Sequence, residues 1–321
     1  MNTSVSSRQG DINMYDDNKM WDIIVVGAGT AGLTAAIYGQ RAGKQVLLLE
    51  SGIYGGQIVN APEIENYPGI ATVSGYQFAM NLYEQATGLG AVLENGKVIG
   101  IQEKASNWMV QTEEAVYVGK AVILATGAKH RRLGLKQEAE LTGKGISYCA
   151  TCDGAFYRGK PVAVIGGGNT ALGDAEYLSN LCEIVYLIHR REEFRGTTEA
   201  VERLKKRDNV RILLNTVVEE LIGSEGLEAL RLLDKETGSG QQLKVDAAFV
   251  AIGQEPDNQV FASLVELDEN GYIQAGEECK TQATGVFAAG DCRTKQVRQL
   301  TTAVADGAVA AIAAVEYIEE K

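Results

Sequence analysis

Two cysteines three positions apart form a motif whose side chains could carry redox chemistry. The motif is Cys-Ala-Thr-Cys-Asp-Gly and runs from Cys149 to Gly154. Because the two thiols are neighbours, the pKa of one is lowered, and its thiolate is the nucleophile of disulfide exchange. Asp153 follows the second cysteine, Cys152, and a carboxyl group there is suited to protonate a departing thiolate. The motif favours a disulfide that opens and closes beside an acid.

A zinc site is the alternative for a cysteine pair, but it needs two further ligands at similar spacing. The other cysteines, Cys182, Cys279 and Cys292, are scattered singly, and the chain has only two histidines, His130 and His189. None of these residues forms a second pair. We therefore favour the redox disulfide and expect no metal.

A glycine signature at residues 27–32 predicts a first dinucleotide site. A short apolar, β-branched run at residues 22–26 precedes it, and a helical stretch and a second apolar run at residues 45–50 follow it. The glycines of such a βαβ unit let a pyrophosphate approach the helix N-terminus, where amides and the helix dipole attract anions. Glu50 lies 23 residues after Gly27, where a carboxylate can bond the ribose hydroxyls. A glycine-rich turn without a ligand is the alternative. The predicted contacts are Gly27, Gly29, Thr30, Ala31, Gly32 and Glu50.

A second signature at residues 166–171 repeats the first. It too lies between two apolar runs, residues 161–165 and 184–188. The position equivalent to Glu50 is His189, so the acid is absent and arginines follow instead. Arginine binds phosphate through two parallel hydrogen bonds, which suits a ribose with a 2′-phosphate. The second site is predicted to prefer NADPH over NADH, unless the arginines are only a solvated basic loop. The predicted contacts are Gly166, Gly168, Asn169, Thr170, His189, Arg190, Arg191 and Arg195.

Composition limits the class of protein. A chain of 321 residues is long enough for about two domains, and its formal net charge of −12 argues against a nucleic-acid partner. We expect no membrane span, because no segment reaches about 18 apolar residues. Residues 1–20 are polar, contain three aspartates and lack the apolar core of a signal peptide. With an odd number of cysteines, five, we expect a reducing cytoplasm.

The rest of the chain divides at changes of pattern. Residues 92–118 alternate between apolar and polar and predict a small antiparallel meander, and residues 121–128 predict a buried strand. Composition changes abruptly at residues 129–133 and 255–258, where we place domain boundaries. Further strands are expected at residues 211–214, 247–253 and 286–291, and a closing helix at residues 300–319. The loops at residues 55–57 and 65–69 have polar amides that could reach a cofactor or only cap turns.

From about Trp21 to its C-terminus the chain resembles the bacterial-type, low-molecular-weight thioredoxin reductases. Besides the cysteine motif, the resemblance is carried by Gly-Gly-Gly-Asn-Thr-Ala, His-Arg-Arg-x-x-Phe-Arg and Phe-Ala-Ala-Gly-Asp. It implies an α/β fold with two Rossmann-like domains, one for FAD and one for NADPH, the second inserted into the first. The implied domains are residues 21–130 with 256–321 for FAD and 131–255 for NADPH, after a polar leader at residues 1–20.

The resemblance also implies a role for each site residue. Cys149 would attack the disulfide of thioredoxin, Cys152 would face the flavin as a charge-transfer thiolate, and Asp153 would protonate it. A homodimer is implied, in which the NADPH domain rotates to present either the nicotinamide or the disulfide to the flavin. Beyond the first glycine signature, the positions that match FAD contacts are Gln57, Asn66, Gly127, Gly290, Asp291, Arg298 and Gln299.

Other readings stay open. A flavin reductase that serves a peroxiredoxin or another thioredoxin-like partner is one alternative, and a redox-sensing flavoprotein that turns over slowly is another. The chain also departs from the family at residues 172–174, Leu-Gly-Asp, where a pair of glutamates is common. Cys292, directly after Asp291, has no assigned role.

Overall fold

The computed structural model describes residues 19–61 and 63–321, so nearly all of the predicted leader lies outside the described residues. The strands are β1 (Met20–Val26), β2 (Val46–Glu50), β3 (Val92–Asn95), β4 (Val98–Lys104), β5 (Asn107–Thr112), β6 (Val116–Leu124), β7 (Lys129–His130), β8 (Ile146–Ser147), β9 (Pro161–Gly166), β10 (Ile184–Ile188), β11 (Val210–Leu213), β12 (Thr216–Ile222), β13 (Ala229–Asp234), β14 (Gly240–Lys244), β15 (Ala247–Ala251), β16 (Gln254–Glu255) and β17 (Val286–Ala288). The helices are α1 (Thr30–Arg41), α2 (Gly75–Gly88), α3 (Glu138–Leu141), α4 (Ala150–Asp153), α5 (Asn169–Ser179), α6 (Thr198–Lys205) and α7 (Leu300–Glu319).

The described chain divides into two compact units. The first unit holds the chain up to Val59, Val73–Ala128 and Pro256–Lys321, and the second holds Asn60–Thr72 and Lys129–Glu255. The chain therefore leaves the first unit after Ala128 and returns to it at Pro256. The grouping of residues 60–72 with the second unit was not expected from the sequence.

The first unit is built on one sheet with strand order β3-β2-β1-β6-β5-β4, and β17 also pairs with β6. The strands β3, β2, β1, β6 and β17 run parallel. Residues Ile23–Val26 and Val46–Leu49 are buried on both sides, which explains their nearly continuous apolar sequence. The carboxyl ends of these strands meet at one edge, where a dinucleotide binds in such sheets.

The predicted meander is partly wrong. β4, β5 and β6 pair antiparallel as expected, but β3 joins β2 in the parallel part of the sheet. The amide of Gly96 donates to the carbonyl of Glu50 at 2.8 Å, so the chain stays on β2 to the end of β3, and β3 and β4 do not form a hairpin. The strand predicted at residues 121–128 begins and ends earlier than expected, since β6 ends at Leu124 and a loop follows it.

Helices α1 and α7 cross in the core of the first unit through small residues. A Cβ atom added at Gly307 would lie 2.2 Å from the carbonyl oxygen of Ala31, so only glycine fits at this crossing. By length and composition α7 is apolar enough to cross a membrane, contrary to our expectation that no segment would be. Buried core helices pass the same test, and Ala303, Ala310 and Ala314 of α7 pack in the core with α1.

The second unit has a five-stranded parallel sheet with order β11-β10-β9-β15-β8. Helix α5 follows β9 through the second glycine signature, as the repeat predicts. A separate antiparallel sheet, β12-β13-β14, was not expected. The two chain segments that connect the units pair with each other: β7 and β16 form a short antiparallel ladder in which Lys129 faces Glu255 and His130 faces Gln254.

Candidate functional site

Cys149 and Cys152 form a disulfide at the start of α4 in the second unit. The Cα atoms are 5.3 Å apart, and the amides of Cys152 and Asp153 both donate to the carbonyl of Cys149, at 3.2 and 3.1 Å. A single turn of helix therefore holds the pair in bonding distance. Cys149 is half-buried and Cys152 is exposed. The three other cysteines, Cys182, Cys279 and Cys292, are buried free thiols.

Asp153 lies beside the disulfide in a partly buried position. Burial raises the pKa of its carboxyl group, and a hydrogen bond from the Ser147 hydroxyl, 2.6 Å from Oδ2, acts in the opposite direction. A carboxyl group with a raised pKa holds its proton to higher pH, which is what a proton donor near neutral pH requires. The sequence identified Asp153 but missed Ser147. The only available signal was a small hydroxyl residue two positions before the first cysteine.

The first glycine signature forms a tight turn between β1 and α1. Gly27 has φ +104°, and a Cβ atom there would lie 2.4 Å from the carbonyl oxygen of Ala125. At Gly32 a Cβ atom would lie 1.9 Å from the Gly27 carbonyl oxygen. Gly29 is the N-cap of α1 and has no side chain that could cap the helix. The first turn of α1 includes Thr30 and Ala31, and the backbone amides of such a turn are the groups that bind an anion in this type of loop.

Glu50 ends β2 and lies beside this turn. Its Oε2 atom accepts a hydrogen bond from the amide of Ala28 at 2.7 Å, and its Oε1 atom accepts one from the amide of Gly52 at 2.8 Å. Each carboxylate oxygen has a second lone pair, so the group can also accept from ribose hydroxyls. Nearby, the Gln57 side-chain amide donates to the carbonyl of Ala128.

The loop after β17 supplies the remaining predicted contacts in the first unit. Gly290 has φ +79°, and Asp291 follows it in a short 3₁₀ helix. Gly127, with φ +68°, forms the turn that follows β6. Arg298 donates to the carbonyls of Lys295 (3.0 Å) and Arg293 (3.3 Å), so it encloses the loop.

Gln299 and Asn66 are two further predicted FAD contacts. Gln299 is the N-cap of α7 and forms a capping box with Thr302. Asn66 is exposed in the segment 60–72, which groups with the second unit.

A buried carboxylate oxygen tests whether this region fits a flavin nucleotide. Asp291 Oδ1 is buried and has no hydrogen-bond partner among the described residues. Burial raises the pKa of Asp291, and the nearby Lys295 and Arg298 oppose that shift. An unpaired buried carboxylate oxygen is costly unless a ligand hydroxyl pairs with it. Together with the glycine turn at residues 27–32, Asp291 therefore fits a ligand that has both a pyrophosphate and hydroxyl groups.

Asp306 on α7 holds the Gly290–Asp291 loop in place. Its Oδ2 atom accepts from the amide of Gly290 (3.0 Å), and the carboxylate forms ion pairs with Arg293 and Lys295. Burial alone would raise the pKa of Asp306, but hydrogen bonds from the two cations hold it below its usual value. The sequence reasoning missed this cluster. The signal that could have revealed it was Asp306 as the single acid in the alanine-rich stretch at residues 303–314.

The second glycine signature forms the same turn between β9 and α5. At Gly166 a Cβ atom would lie 2.3 Å from the carbonyl oxygen of Ala251, and at Gly167 it would overlap the ring of His189. Gly168 is the N-cap of α5, again without a side-chain cap, and Asn169 and Thr170 begin the helix. The side-chain oxygen of Asn169 accepts from the amide of Thr197 at 2.9 Å.

The structure brings the basic loop and the glycine turn together. The amide of Arg195 donates to the carbonyl of Gly167 at 2.7 Å, and Arg190, Arg191 and Arg195 are all exposed. His189 is different: it is buried beneath Gly167, its ring stacks on Phe194, and burial lowers its pKa. The arginines are thus available to an anion at this turn, whereas His189 supports the loop from within.

The comparisons with known proteins agree with this architecture. Residues 21–307 match the pyridine nucleotide-disulphide oxidoreductase family. Thioredoxin reductase of Treponema pallidum is 42% identical over 300 residues, 93% of this chain and 97% of that protein. Thioredoxin reductase of Bacillus subtilis is 37% identical over 305 residues, 95% and 96% of the two chains. The crystal structure of thioredoxin reductase from Streptococcus pyogenes superposes with a TM-score of 0.90 at 37% identity, covering 95% of this chain and all of that one.

The chain belongs to the pyridine nucleotide-disulphide oxidoreductase family. The resemblance to bacterial thioredoxin reductases is confirmed, as are the α/β fold class and the expectation of an NADPH-dependent flavoprotein disulfide reductase with FAD and NADPH as cofactors.

Proposed function

We propose that this protein is a thioredoxin-disulfide reductase that passes electrons from NADPH through FAD to the Cys149–Cys152 disulfide and on to thioredoxin. The observation that carries the proposal is this disulfide beside Asp153, in the same unit as a glycine turn and a loop with three exposed arginines that is hydrogen-bonded to it. Its relatives of similar length are named thioredoxin reductases, which supports the same substrate.

The two cofactors are assigned to the two units by the chemistry of their turns. In the first unit, the glycine turn at residues 27–32, Glu50 and the unpaired oxygen of Asp291 suit FAD. In the second unit, the turn at residues 166–168 and the exposed arginines at 190, 191 and 195 suit the 2′-phosphate of NADPH. We place the FAD domain at residues 21–130 and 256–321 and the NADPH domain at residues 131–255. When bound, FAD takes two electrons from NADPH and supplies them to the disulfide.

The protein side chains then carry out the sulfur chemistry. Two electrons open the Cys149–Cys152 bond, and two protons complete the dithiol; Asp153 supplies one of them to the Cys152 sulfur. In the second half of the cycle, the Cys149 thiolate attacks the thioredoxin disulfide and forms a mixed disulfide. Cys152 then attacks that bond, releases reduced thioredoxin and restores the Cys149–Cys152 disulfide. Electrons and protons balance over the cycle, with NADPH as the donor.

The unit with the nicotinamide site also carries the disulfide, and both must reach one flavin. We propose that the second unit moves relative to the first about the segments 129–133 and 255–258. A chemical crosslink between the units should trap one state and stop turnover. Full activity in a verified crosslinked protein would exclude this motion.

We also propose a cytoplasmic homodimer that binds neither nucleic acid nor membrane. Val309 and Ile312 are exposed large apolar side chains one turn apart on α7, at 37% and 49%, and a second copy could cover them. The acidic net charge and three free cysteines agree with a reducing compartment and with the absence of a nucleic-acid partner. Analytical ultracentrifugation gives the oligomeric state.

Steady-state oxidation of NADPH by the purified yellow protein tests the proposed function. We expect turnover that depends on thioredoxin, is lost in Cys149→Ser, and is retained in Cys182→Ser, a control that removes a buried free thiol of the same unit. Thioredoxin-independent consumption of NADPH would overturn the proposal. Preference for a peroxiredoxin-type disulfide would favour a flavin reductase that serves a peroxiredoxin. Very slow turnover with all disulfides would favour a redox-sensing flavoprotein.

A further inference from the structure

Ser147 joins the proposed acid to the first cysteine by hydrogen bonds. Its hydroxyl oxygen lies 2.6 Å from Asp153 Oδ2 and accepts a hydrogen bond from the amide of Cys149 at 3.1 Å. The carbonyl of Cys149 lies 3.4 Å from the same hydroxyl. One side chain therefore contacts both ends of the redox motif.

The fold fixes the position of this hydroxyl. Ser147 is the last residue of β8, which pairs with β15 so that Ser147 faces Phe249. The side chain is only 4% exposed, so water does not compete well for its bonds. Ser147 thus lies on a paired strand, whereas Asp153 ends the short helix α4.

The hydroxyl can bond to the carboxyl group in both of its protonation states. When Asp153 is ionised, Ser147 donates its single hydrogen to Oδ2. When Asp153 is protonated, the carboxyl can donate to the Ser147 oxygen, and the serine hydrogen can turn to the Cys149 carbonyl. Asp153 thus keeps one partner, and one orientation, before and after it gives up its proton.

In the part of the chain that the structure describes, Asp153 has few charged or titratable neighbours. Tyr157 lies on the 3₁₀ helix that follows. Burial, and to a smaller extent the negative charge of Asp153, raise the pKa of Tyr157. Asp246 acts on Tyr157 in the same direction, and Lys160 forms an ion pair with Asp246 at 3.8 Å. Among the described residues no cation lowers the pKa of Asp153, so the Ser147 hydrogen bond is the contact that favours its ionised form.

We infer that Ser147 is a positioning residue for the reduction of the Cys149–Cys152 disulfide: its hydroxyl holds the Asp153 carboxyl beside the redox pair throughout the proton transfer. This inference rests on the proposed role of Asp153 as the acid. Ser147 itself exchanges no proton with sulfur. The step still consumes two electrons from NADPH and two protons, one of them from Asp153.

The test follows the opening of the protein's own disulfide, without thioredoxin. The FAD-loaded holoenzyme is mixed with NADPH and quenched with an alkylating reagent, and the new thiols are counted against time between about pH 5 and 9. Three single variants are compared: Ser147→Ala, Ser147→Thr and Asp153→Asn. A double variant combines Asp153→Asn with Ser147→Ala. Ser179→Ala is the matched control, because Ser179 is a buried serine of the same unit whose hydroxyl donates to a backbone carbonyl, that of Glu176.

In Ser147→Ala we expect the maximal rate to fall about tenfold, less than on removal of the acid itself. The alkaline limb of the pH profile should move up by about one unit, since the ionised carboxyl loses a hydrogen bond and its pKa rises further. Ser147→Thr keeps a hydroxyl and should recover most of the rate, and Ser179→Ala should resemble the parent.

The double variant separates a positioning role from a structural one. In the Asp153→Asn background, Ser147→Ala should have little further effect, because the carboxyl it orients is gone. An unchanged rate and pH profile in Ser147→Ala would overturn the inference, as would an equal loss in both backgrounds. If Ser147 acts as inferred but thioredoxin is not reduced, only the proposed substrate is wrong.

Discussion

At the scale of single residues, the two cysteines have the same chemistry but different exposures. Cys149 is half-buried and Cys152 is exposed in the oxidised pair. The assignment of Cys152 to the flavin and Cys149 to thioredoxin follows the family resemblance and predicts different behaviour for the two thiols.

Single serine substitutions distinguish the two thiols. Cys149→Ser should retain Cys152 as a thiolate beside oxidised FAD and show a long-wavelength charge-transfer band. Cys152→Ser should lack the band and still capture thioredoxin as a mixed disulfide through Cys149. Absorption spectra and non-reducing electrophoresis with thioredoxin measure both results. The band in Cys152→Ser instead would reverse the assignment.

The arginines of the second unit should select NADPH. In the double variant Arg190→Ala/Arg191→Ala, we expect the KM for NADPH to rise roughly tenfold or more. The reason is that the charge-assisted hydrogen bonds from these two arginines to the 2′-phosphate are lost. The KM for NADH should change little. Arg231→Ala is the control, since Arg231 is an exposed arginine of the same unit paired with Glu220. Equal use of NADPH and NADH by the parent enzyme would refute the phosphate site.

At the scale of elements, two helical glycines have opposite surroundings. A Cβ atom at Gly307 would lie 2.2 Å from the Ala31 carbonyl oxygen, whereas one at Gly173 of α5 would have no described atom within 4 Å apart from its chain neighbours and the backbone of its own helix. Gly307→Ala should lower the free energy of unfolding by about 1–3 kcal/mol through overpacking. Gly173→Ala should raise it by up to about 1 kcal/mol, the helix propensity difference. Denaturant unfolding of both variants measures this contrast, and equal shifts would contradict it.

Elements that depend on local pattern could be predicted from the sequence. β10 and α7 have the predicted limits, because each is bounded by clear changes of pattern. β3 was misassigned because its partner, β2, is more than forty positions away, and strand pairing of this kind is decided by tertiary packing. The site shows the same division: motifs identified the glycine turns and Cys149–Cys152, but not Ser147 or Asp306, whose roles depend on contacts that only the fold creates.

At the scale of the whole molecule, residues 129–255 form an insertion whose two ends, β7 and β16, are paired strands. His130 and Gln254 are register partners in the antiparallel pair β7–β16, and such partners lie about 5 Å apart. Each unit also has its own apolar core clusters. A two-residue turn could therefore replace the insertion without moving the chain ends that it joins.

We expect a chain in which Asn-Gly replaces residues 131–253 to fold and to retain FAD, because β7 and β16 then form a hairpin and the flavin turn is intact. It should lack reduction by NADPH, since the arginine loop and the disulfide are removed. Flavin absorbance after gel filtration and a cooperative thermal transition measure the outcome. Gly32→Val in the same shortened chain is the control that should lose FAD, as its Cβ would lie 1.9 Å from the Gly27 carbonyl oxygen. A shortened chain that is unfolded or free of flavin, beside a yellow parent, would show that the FAD domain needs the insertion, with which the retained segment 60–72 groups.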